Sequence, residues 1–187
     1  MVDIGSNDGT LLTFFQGRGQ TVLGIDPAIS IAKAASDSGI ETWPEFFDVK
    51  TAERILAEKG RAAVVSANNV FAHADGLMGI ADNIRAILAP DGVFVFEVSY
   101  LGDVYEDILF DTIYHEHYSY LSITPLNYLF NKFQLKIFKI TQVNLGASGP
   151  ALRVYIKHEN NKIFKDDGNL KKYLHYEKIN KLQKKAT

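Results

Sequence analysis

The fold of this chain is decided by the stretch VDIGSNDGTLL, which occupies residues 2–12. Apolar Val2 and Ile4 flank a single acid, Asp3, as they would in a short buried strand. Glycines at positions 5 and 9 then make a turn, and an apolar stretch suited to a helix follows. A strand that leads through a glycine turn into a helix is the first unit of many α/β sheets.

The same alternation of strand and helix continues outward from this stretch. The predicted elements are a helix at Thr10–Gln16, a strand at Thr21–Asp26, a helix from about Ala28 to Ser38, an extended piece at Ile40–Trp43, a helix at Val49–Lys59, a strand at Ala62–Ala67, a helix at Leu77–Leu88 stopped by Pro90-Asp91-Gly92, and a strand at Val93–Val98. Strands that are apolar at nearly every position are buried on both faces, which is typical of a parallel sheet covered by helices. The sequence therefore predicts an α/β fold with a doubly wound, Rossmann-like sheet.

The alternation of parallel strands and helices ends after Val98, and the last strands of the predicted domain are antiparallel. An irregular aromatic segment, a helix, a strand, a glycine turn and a last strand are predicted, in that order, at Tyr100–Tyr120, Pro125–Phe133, Leu135–Thr141, Gly146–Gly149 and Ala151–Lys157. This order predicts a mostly parallel sheet that closes with a terminal antiparallel hairpin. We assign residues 1–157 to one domain.

Residues 158–187 form a basic tail, the expected start of a further C-terminal region. The last 31 residues hold nine Lys and four Asp or Glu, although the formal charge of the whole chain is only −2. The lysines alternate with Leu170, Leu174, Ile179 and Leu182, which favours the solvated face of an amphipathic helix. A basic arm on nucleic acid is the alternative. We favour the helix and predict no nucleic-acid partner.

Composition excludes several classes of protein. Hydrophobic residues make up 47% and charged residues 22% of the 187, which is enough apolar material for a folded core. The lack of cysteine excludes disulfides, thiolate-bound zinc, iron–sulfur centres and a cysteine nucleophile. No apolar run approaches the roughly 20 residues of a membrane helix, and no signal peptide is recognisable, so we expect a cytoplasmic protein with no membrane partner.

The glycine turn is the first place to look for a ligand, because ligands of open α/β sheets lie beyond the carboxyl ends of the strands. Gly5 and Gly9 let a ligand approach the backbone, and the N–H groups that open the next helix face it. Asp26 ends the second strand, seventeen residues after Gly9. A carboxylate there can accept hydrogen bonds from both hydroxyls of a ribose.

Two kinds of ribose-containing ligand fit these positions, dinucleotides and S-adenosylmethionine. Dinucleotide folds use G-x-G-x-x-G around a pyrophosphate, whereas this turn has Asn7 at the second glycine position. The acid inside the first strand, Asp3, would repel a pyrophosphate and attract an ammonium or sulfonium group. The residues therefore favour S-adenosylmethionine, and an NAD-dependent oxidoreductase is the alternative.

Polar residues near the other strand ends complete the predicted binding sets. Asn68 and Asn69 follow the fourth strand, where an amide either caps the next helix or holds a ligand. Glu97 closes the fifth strand and either contacts the substrate or pairs with a nearby donor. His73 is interpreted as a capping or surface histidine, with a ligand role as the alternative. The predicted cofactor ligands are Asp3, Gly5, Ser6, Asn7, Gly9, Asp26 and Asn68, and the predicted substrate ligands are Asn69, Glu97, Tyr100 and His115.

Proton-transfer groups are densest in FDTIYHEHYSY, residues 110–120, which has two histidines, a glutamate and three tyrosines within seven residues. In one interpretation His115, Glu116 and His117 bind a metal, but consecutive side chains of an extended segment point to opposite sides. Proton transfer fits better, because a histidine acts as a base near neutral pH and a tyrosine donates to a developing oxyanion. We predict no metal site, and a purely structural cluster is the remaining alternative.

Five stretches together resemble the sugar C-methyltransferases. They are VDIGSNDGTLL at 2–12, GIDP at 24–27, NNVFAH at 68–73, FEVSY at 96–100 and FDTIYHEHYSYLS at 110–122. The resemblance runs from residue 2 to about 157 and implies a class I methyltransferase fold with S-adenosylmethionine as cofactor. It also implies methylation of a carbon, typically C3 beside a C4 ketone, in a nucleotide-linked keto-deoxysugar.

The same resemblance implies roles for three residues of the histidine block. His117 would be the general base that removes the proton next to the ketone, and Tyr114 and Glu116 would position the sugar and help to stabilise the enolate. Members of the family also have a cysteine-rich zinc domain before the glycine turn and a further C-terminal domain; against this pattern, the zinc domain and most of the C-terminal domain are expected to be missing here. A truncated form is therefore implied, and a non-catalytic binding module, an oligomer or a missing partner domain stay open as alternatives.

Overall fold

A computed structural model, which describes residues 1–144 and 150–182, contains one seven-stranded sheet. Its strands are β1 Val2–Ile4, β2 Leu23–Ile25, β3 Thr42–Trp43, β4 Ala62–Asn68, β5 Leu88–Val98, β6 Leu135–Asn144 and β7 Pro150–His158. The helices in the described residues are α1 Thr10–Gln16, α2 Ile29–Asp37, α3 Val49–Glu58, α4 Leu77–Ile87, α5 Leu101–Glu106, α6 Ile123–Lys132 and α7 Asn169–Ile179. One-turn 3-10 segments lie at Phe71–His73 and Phe110–Thr112.

The order of the strands is β3-β2-β1-β4-β5-β7-β6, with β1 at the point where the chain reverses direction across the sheet. The first five strands pair in parallel, and β7 pairs antiparallel to both β5 and β6. Right-handed crossovers then place α1 and α2 on one face of the sheet and α3 and α4 on the other. The predicted doubly wound, mostly parallel sheet with a terminal antiparallel hairpin is confirmed.

Strand β5 is longer than the sequence predicts, because it includes the residues that were expected to stop a helix. Helix α4 ends at Ile87, and β5 begins at the next residue, where Leu88 pairs with Ala62. A register shift between Ala62 and Val64 accommodates the extra length. At Gly92 an added Cβ would lie 3.0 Å from the Ala62 carbonyl oxygen, so this glycine allows the close approach of β4.

The aromatic segment after β5 is also more regular than predicted. It contains α5 and the 3-10 turn at Phe110–Thr112 instead of irregular chain throughout. The predicted glycine turn at Gly146–Gly149 lies outside the described residues. In the part of the chain that the structure describes, no helix is long and apolar enough to cross a membrane.

Four phenylalanines form the centre of the larger hydrophobic core. They are Phe71, Phe94, Phe96 and Phe130, all fully buried. The rings of Phe71 and Phe96 stack with their centroids 4.7 Å apart, and those of Phe94 and Phe96 are 5.3 Å apart. Phe71 and His73 belong to the same 3-10 turn, which follows β4. Because Phe71 is packed in the core, the core fixes the backbone of this turn and so the position of His73.

Candidate active site

The glycine turn, residues 5–9, is closed tightly against neighbouring segments. Gly5 and Gly9 have φ angles of 70° and 79°, the left-handed region that favours glycine, and Asn7 has φ 50°. A Cβ on Gly5 would lie 2.6 Å from Val70 Cγ2, and one on Gly9 would lie 2.9 Å from Ile40 Cγ2. Both positions therefore require glycine, because the backbone has a positive φ and because a Cβ would collide with a neighbouring side chain.

Asp26, at the carboxyl end of β2, holds this turn in place. The backbone N–H of Asn7 donates to Asp26 Oδ2 at 2.9 Å, and the N–H of Ala28 donates to Oδ1 at 2.9 Å. The carboxylate is half-buried, and each oxygen still has a lone pair for a further donor. Asp26 thus organises the turn and keeps the capacity to accept the two hydroxyls of a ribose.

A second carboxylate, Asp3, lies beneath the turn and is only 4% exposed. Burial raises its pKa from 3.8 to about 6; the hydrogen bond from Ser66 Oγ at 2.5 Å opposes the shift, and the charge of Asp26 adds to it. The buried Ser6 hydroxyl has no hydrogen-bond partner among the described residues. These groups leave a buried acid and an unused polar atom at the switch point of the sheet, a place suited to a cationic ligand.

A cavity of about 840 Å³ opens beside the carboxyl ends of β1 and β2, between α3 and α4. Gly5 and Pro27 line one side of it, and Asn69 and His73 line another. Asn69 has φ 56°, which turns the chain sharply at the end of β4. The volume is within the range of pockets that enclose a small-molecule cofactor.

The third side of the cavity contains residues that the sequence interpretation missed, Glu45 and Phe46. Phe46 is 75% exposed at the rim, where an aromatic ring could stack on a base. Glu45 is held by Arg54, whose Nη1 lies 2.6 Å from Oε1, and Arg54 in turn lies over the Trp43 ring at 3.7 Å. They follow the short strand β3, and ligands of open α/β sheets bind beyond the carboxyl ends of the strands. This position was the sequence signal that could have predicted them.

The histidine loop, residues 112–120, fixes the tautomer of His117. Its Nδ1 lies 2.8 Å from the Thr112 carbonyl oxygen, and a carbonyl can only accept, so Nδ1 carries the proton. In the neutral ring the lone pair is then on Nε2, which accepts from the Tyr114 hydroxyl at 3.0 Å. An imidazole with Nδ1–H held by the backbone and Nε2 accepting from a side-chain hydroxyl that a substrate can displace is the arrangement of a general base.

His73 joins this loop to the cavity. Its Nδ1–H donates to the Glu116 carbonyl oxygen at 2.9 Å, and its ring centroid lies 4.9 Å from that of His117. The Ser119 N–H donates to the Ala72 carbonyl oxygen at 3.2 Å, which adds a second attachment. The interpretation of His73 as a capping or surface histidine missed this contact, because Glu116 is 43 residues away in the sequence.

Most other residues of the histidine loop, His115 and Glu116 among them, are exposed to solvent. The His115 side chain is 90% exposed and its Nε2 lies 3.9 Å from Glu116 Oε1, a separation that gives little attraction at the surface. Across residues 1–144 and 150–182, no group of three or more His, Asp or Glu side chains is arranged to hold a metal ion.

The remaining predicted ligands differ in how they are placed. Asn68 ends β4 beside the glycine turn, where it pairs in register with Glu97 of β5. The Glu97 carboxylate is buried and accepts from Arg153 Nε at 2.6 Å. Of the two roles predicted for Glu97, the structure thus shows pairing with a nearby donor. Tyr100 does not fit the predicted substrate role: its ring is buried and its hydroxyl donates to Glu177 at 3.1 Å, so it has no surface left for a sugar.

These features define a class of protein. The sheet order, the glycine turn and the acid at the end of β2 are those of a class I methyltransferase fold. Residues 1–140 match the model of a family described as a methyltransferase domain, and the chain belongs to this family.

One curated relative is the C-methyltransferase NovU of Streptomyces niveus, which is 39% identical over 140 residues. The match covers 75% of this chain and 33% of NovU, so the chain spans about a third of the length of that relative.

Solved structures agree with the fold. An S-adenosylmethionine-dependent methyltransferase from Anabaena variabilis superimposes with a TM-score of 0.65 at 17% identity, covering 84% of this chain and 76% of its own. The 1,6-didemethyltoxoflavin N1-methyltransferase of Burkholderia thailandensis, solved with S-adenosylhomocysteine, has a TM-score of 0.63 at 17% identity, covering 85% of this chain and 70% of its own. At these identities the likeness concerns the fold alone.

Proposed function

We propose that this chain is an S-adenosylmethionine-dependent C-methyltransferase whose substrate is a nucleotide-linked keto-deoxysugar. The observation that carries the proposal is the orientation of His117, whose Nδ1 is held by the Thr112 carbonyl and whose ring lies against that of His73 beside the cavity, so that Nε2 is the acceptor. The similarity to an enzyme described as a C-methyltransferase supports carbon as the acceptor.

The cavity and the glycine turn fit the cofactor. When bound, S-adenosylmethionine supplies a methyl group on a positively charged sulfur. Asp26 would accept the ribose hydroxyls with its remaining lone pairs, and buried Asp3 would favour the cationic end of the molecule over a diphosphate. Glu45 and Phe46 would border the base, while Ser6, Asn7 and Asn68 would complete the surroundings of the turn.

The histidine loop would perform the proton transfer. His117 Nε2 would take the proton from the carbon beside the ketone, and its Nδ1–H bond to Thr112 would stabilise the resulting imidazolium. The Tyr114 hydroxyl, now 3.0 Å from Nε2, would turn to donate to the enolate oxygen. The enolate carbon is then the nucleophile, and Asn69, which lines the cavity, and Glu116 of the histidine loop would contact the sugar.

A binding experiment tests the cofactor assignment directly. Isothermal titration with S-adenosylhomocysteine should show saturable binding to the chain, and titration with NAD⁺ should show none. Binding of NAD⁺ with no binding of S-adenosylhomocysteine would support an oxidoreductase and contradict the proposal. Cofactor binding without any exchange of the sugar proton into solvent would instead indicate a non-catalytic binding module.

The raised pKa of Asp3 predicts a pH-dependent cofactor affinity. Above pH 6 the carboxylate is ionised and attracts the cofactor's ammonium and sulfonium groups, and below pH 6 it becomes protonated and that attraction is lost. The dissociation constant for S-adenosylmethionine should therefore rise about fivefold to tenfold between pH 7.5 and pH 5, as an opposite charge within a partly buried site is removed.

Asp3→Asn is the matched control for this dependence. Its dissociation constant at pH 7.5 should resemble that of the native chain at pH 5 and should change less than twofold over the same range. An equally steep pH dependence in this variant would assign the titration to another group.

A further inference from the structure

Glu177, in the C-terminal helix α7, is a fully buried carboxylate at 0% exposure. It lies outside residues 1–140, the part of the chain that matches the methyltransferase family. Its donors are the Tyr100 hydroxyl at 3.1 Å, the Ile123 N–H at 2.6 Å, the Thr124 N–H at 2.8 Å and the Thr124 hydroxyl at 2.6 Å. A buried charge is stable only when donors surround it in this way.

These donors stand at the two ends of the segment that carries the histidine loop. Tyr100 begins the segment, and its backbone forms a β-bridge with Leu121 at the other end. The Leu101 N–H donates to the Leu121 carbonyl oxygen at 2.8 Å, which closes the segment at its base. Ile123 and Thr124 follow at once as the first turn of α6, so one carboxylate joins the entry to and the exit from the loop.

The position of Glu177 at the N-terminus of α6 is electrostatically favourable. The first N–H groups of a helix have no partner within it and attract negative charge. Here the partner comes from α7, which packs on the core through Leu170 and Leu174. The ring of Tyr173 adds an edge contact to Tyr100, with centroids 5.4 Å apart. Helix α7 is therefore attached to the base of the loop both by packing and by hydrogen bonds.

We propose that Glu177 is a positioning residue for the histidine loop, acting through the Tyr100 hydroxyl and the first turn of α6. The C-terminal helix is then part of the catalytic unit, and is more than a solvated tail. The role of the loop in proton transfer rests on the function proposed above, whereas the mechanical link from Glu177 to the loop does not. The glycine turn and Asp26 follow β1 and β2, away from these contacts, so the link should leave cofactor binding unchanged.

Hydrogen–deuterium exchange of the whole chain tests the link without any substrate. Glu177→Gln leaves an amide N–H₂ facing donors, so peptides covering residues 101–121 should exchange about tenfold faster than in the native chain. Tyr100→Phe removes only the loop side of the link and should accelerate the same peptides by about threefold to tenfold. Tyr128→Phe, 65% exposed on α6, is the matched control and should change nothing.

Two further measurements separate positioning from general stability. In the double variant Tyr100→Phe/Glu177→Gln, loop exchange should equal that of Glu177→Gln alone, because both changes break one chain of contacts. S-adenosylhomocysteine affinity should stay within twofold in every variant, while turnover of the keto-sugar falls with Glu177→Gln at an unchanged KM for the cofactor.

Unchanged loop exchange in folded Glu177→Gln, or additive effects in the double variant, would overturn the proposal. If Glu177→Gln does not fold, Tyr100→Phe alone decides, and unchanged exchange there overturns it. Failure of the native chain to bind S-adenosylhomocysteine would count against the proposed function and leave the exchange result intact.

Discussion

His117→Asn should lower methyl transfer about a thousandfold, within the roughly 100- to 10,000-fold that a positioned general base contributes. Asparagine can keep a polar group near the Thr112 carbonyl, but it has no basic nitrogen to take the place of Nε2. Transfer of a labelled methyl group from S-adenosylmethionine to a nucleotide-linked 4-keto-deoxysugar measures the loss. The exchange of the sugar proton into deuterated solvent should fall in parallel, since it requires the same base.

His175→Asn provides the control for this experiment. It makes the same chemical change at an exposed position on α7, and its rate should stay within twofold of the native rate. Both variants should bind S-adenosylhomocysteine like the native chain, because the glycine turn is unchanged. Proton exchange at the native rate in His117→Asn would show that another group is the base.

Asp26→Ala should weaken S-adenosylhomocysteine binding about a hundredfold or more. The change removes the acceptor of two backbone N–H groups, those of Asn7 and Ala28, together with the proposed partner of the ribose hydroxyls. Hydrogen bonds to a charged group are worth roughly 1.5–3 kcal/mol each, so losing two at the ribose accounts for that factor. Isothermal titration gives the affinity directly.

Two comparisons make this result specific. Asp37→Ala removes an exposed acid of α2 that pairs with Lys33 at the surface, and it should not change the affinity. Asp26→Asn retains one acceptor for the turn and should bind with intermediate affinity. A thermal melt of each variant shows whether the fold survives, and full affinity in folded Asp26→Ala would place the ribose elsewhere.

The parts of the fold that could be predicted depend on short-range pattern. The bounds of α1 were predicted to the residue, because a left-handed glycine precedes it and its apolar positions follow a helical period. The predicted start of β5, Val93, was wrong. Pro90 and Gly92 are typical of a turn, but the strand that contains them begins at Leu88, which pairs with Ala62 of β4. Local signals are overridden where a neighbouring strand satisfies the backbone.

The candidate site divides in the same way. Asp26 and the glycine turn belong to a spacing that the sequence displays, and the structure places them together. Glu45 and Phe46 were missed, because the strand before them, β3, is only two residues long and is a weak signal in the sequence. His73 is exposed, as a surface histidine would be, but its contact with Glu116 spans 43 residues of sequence and could not be predicted. Tyr100 was predicted to bind the substrate, but its hydroxyl donates to Glu177, 77 residues further along the chain.

By itself, the sequence determined the alternation of strands and helices, the glycine turn and the density of titratable side chains in the histidine loop. Each of these depends on residues a few positions apart, whose backbone preferences and charges act locally. Only the tertiary structure decided the tautomer of His117, its approach to His73 and the closure of the loop base by Glu177. These depend on which distant segments meet, and that is set by packing of the core over the whole chain.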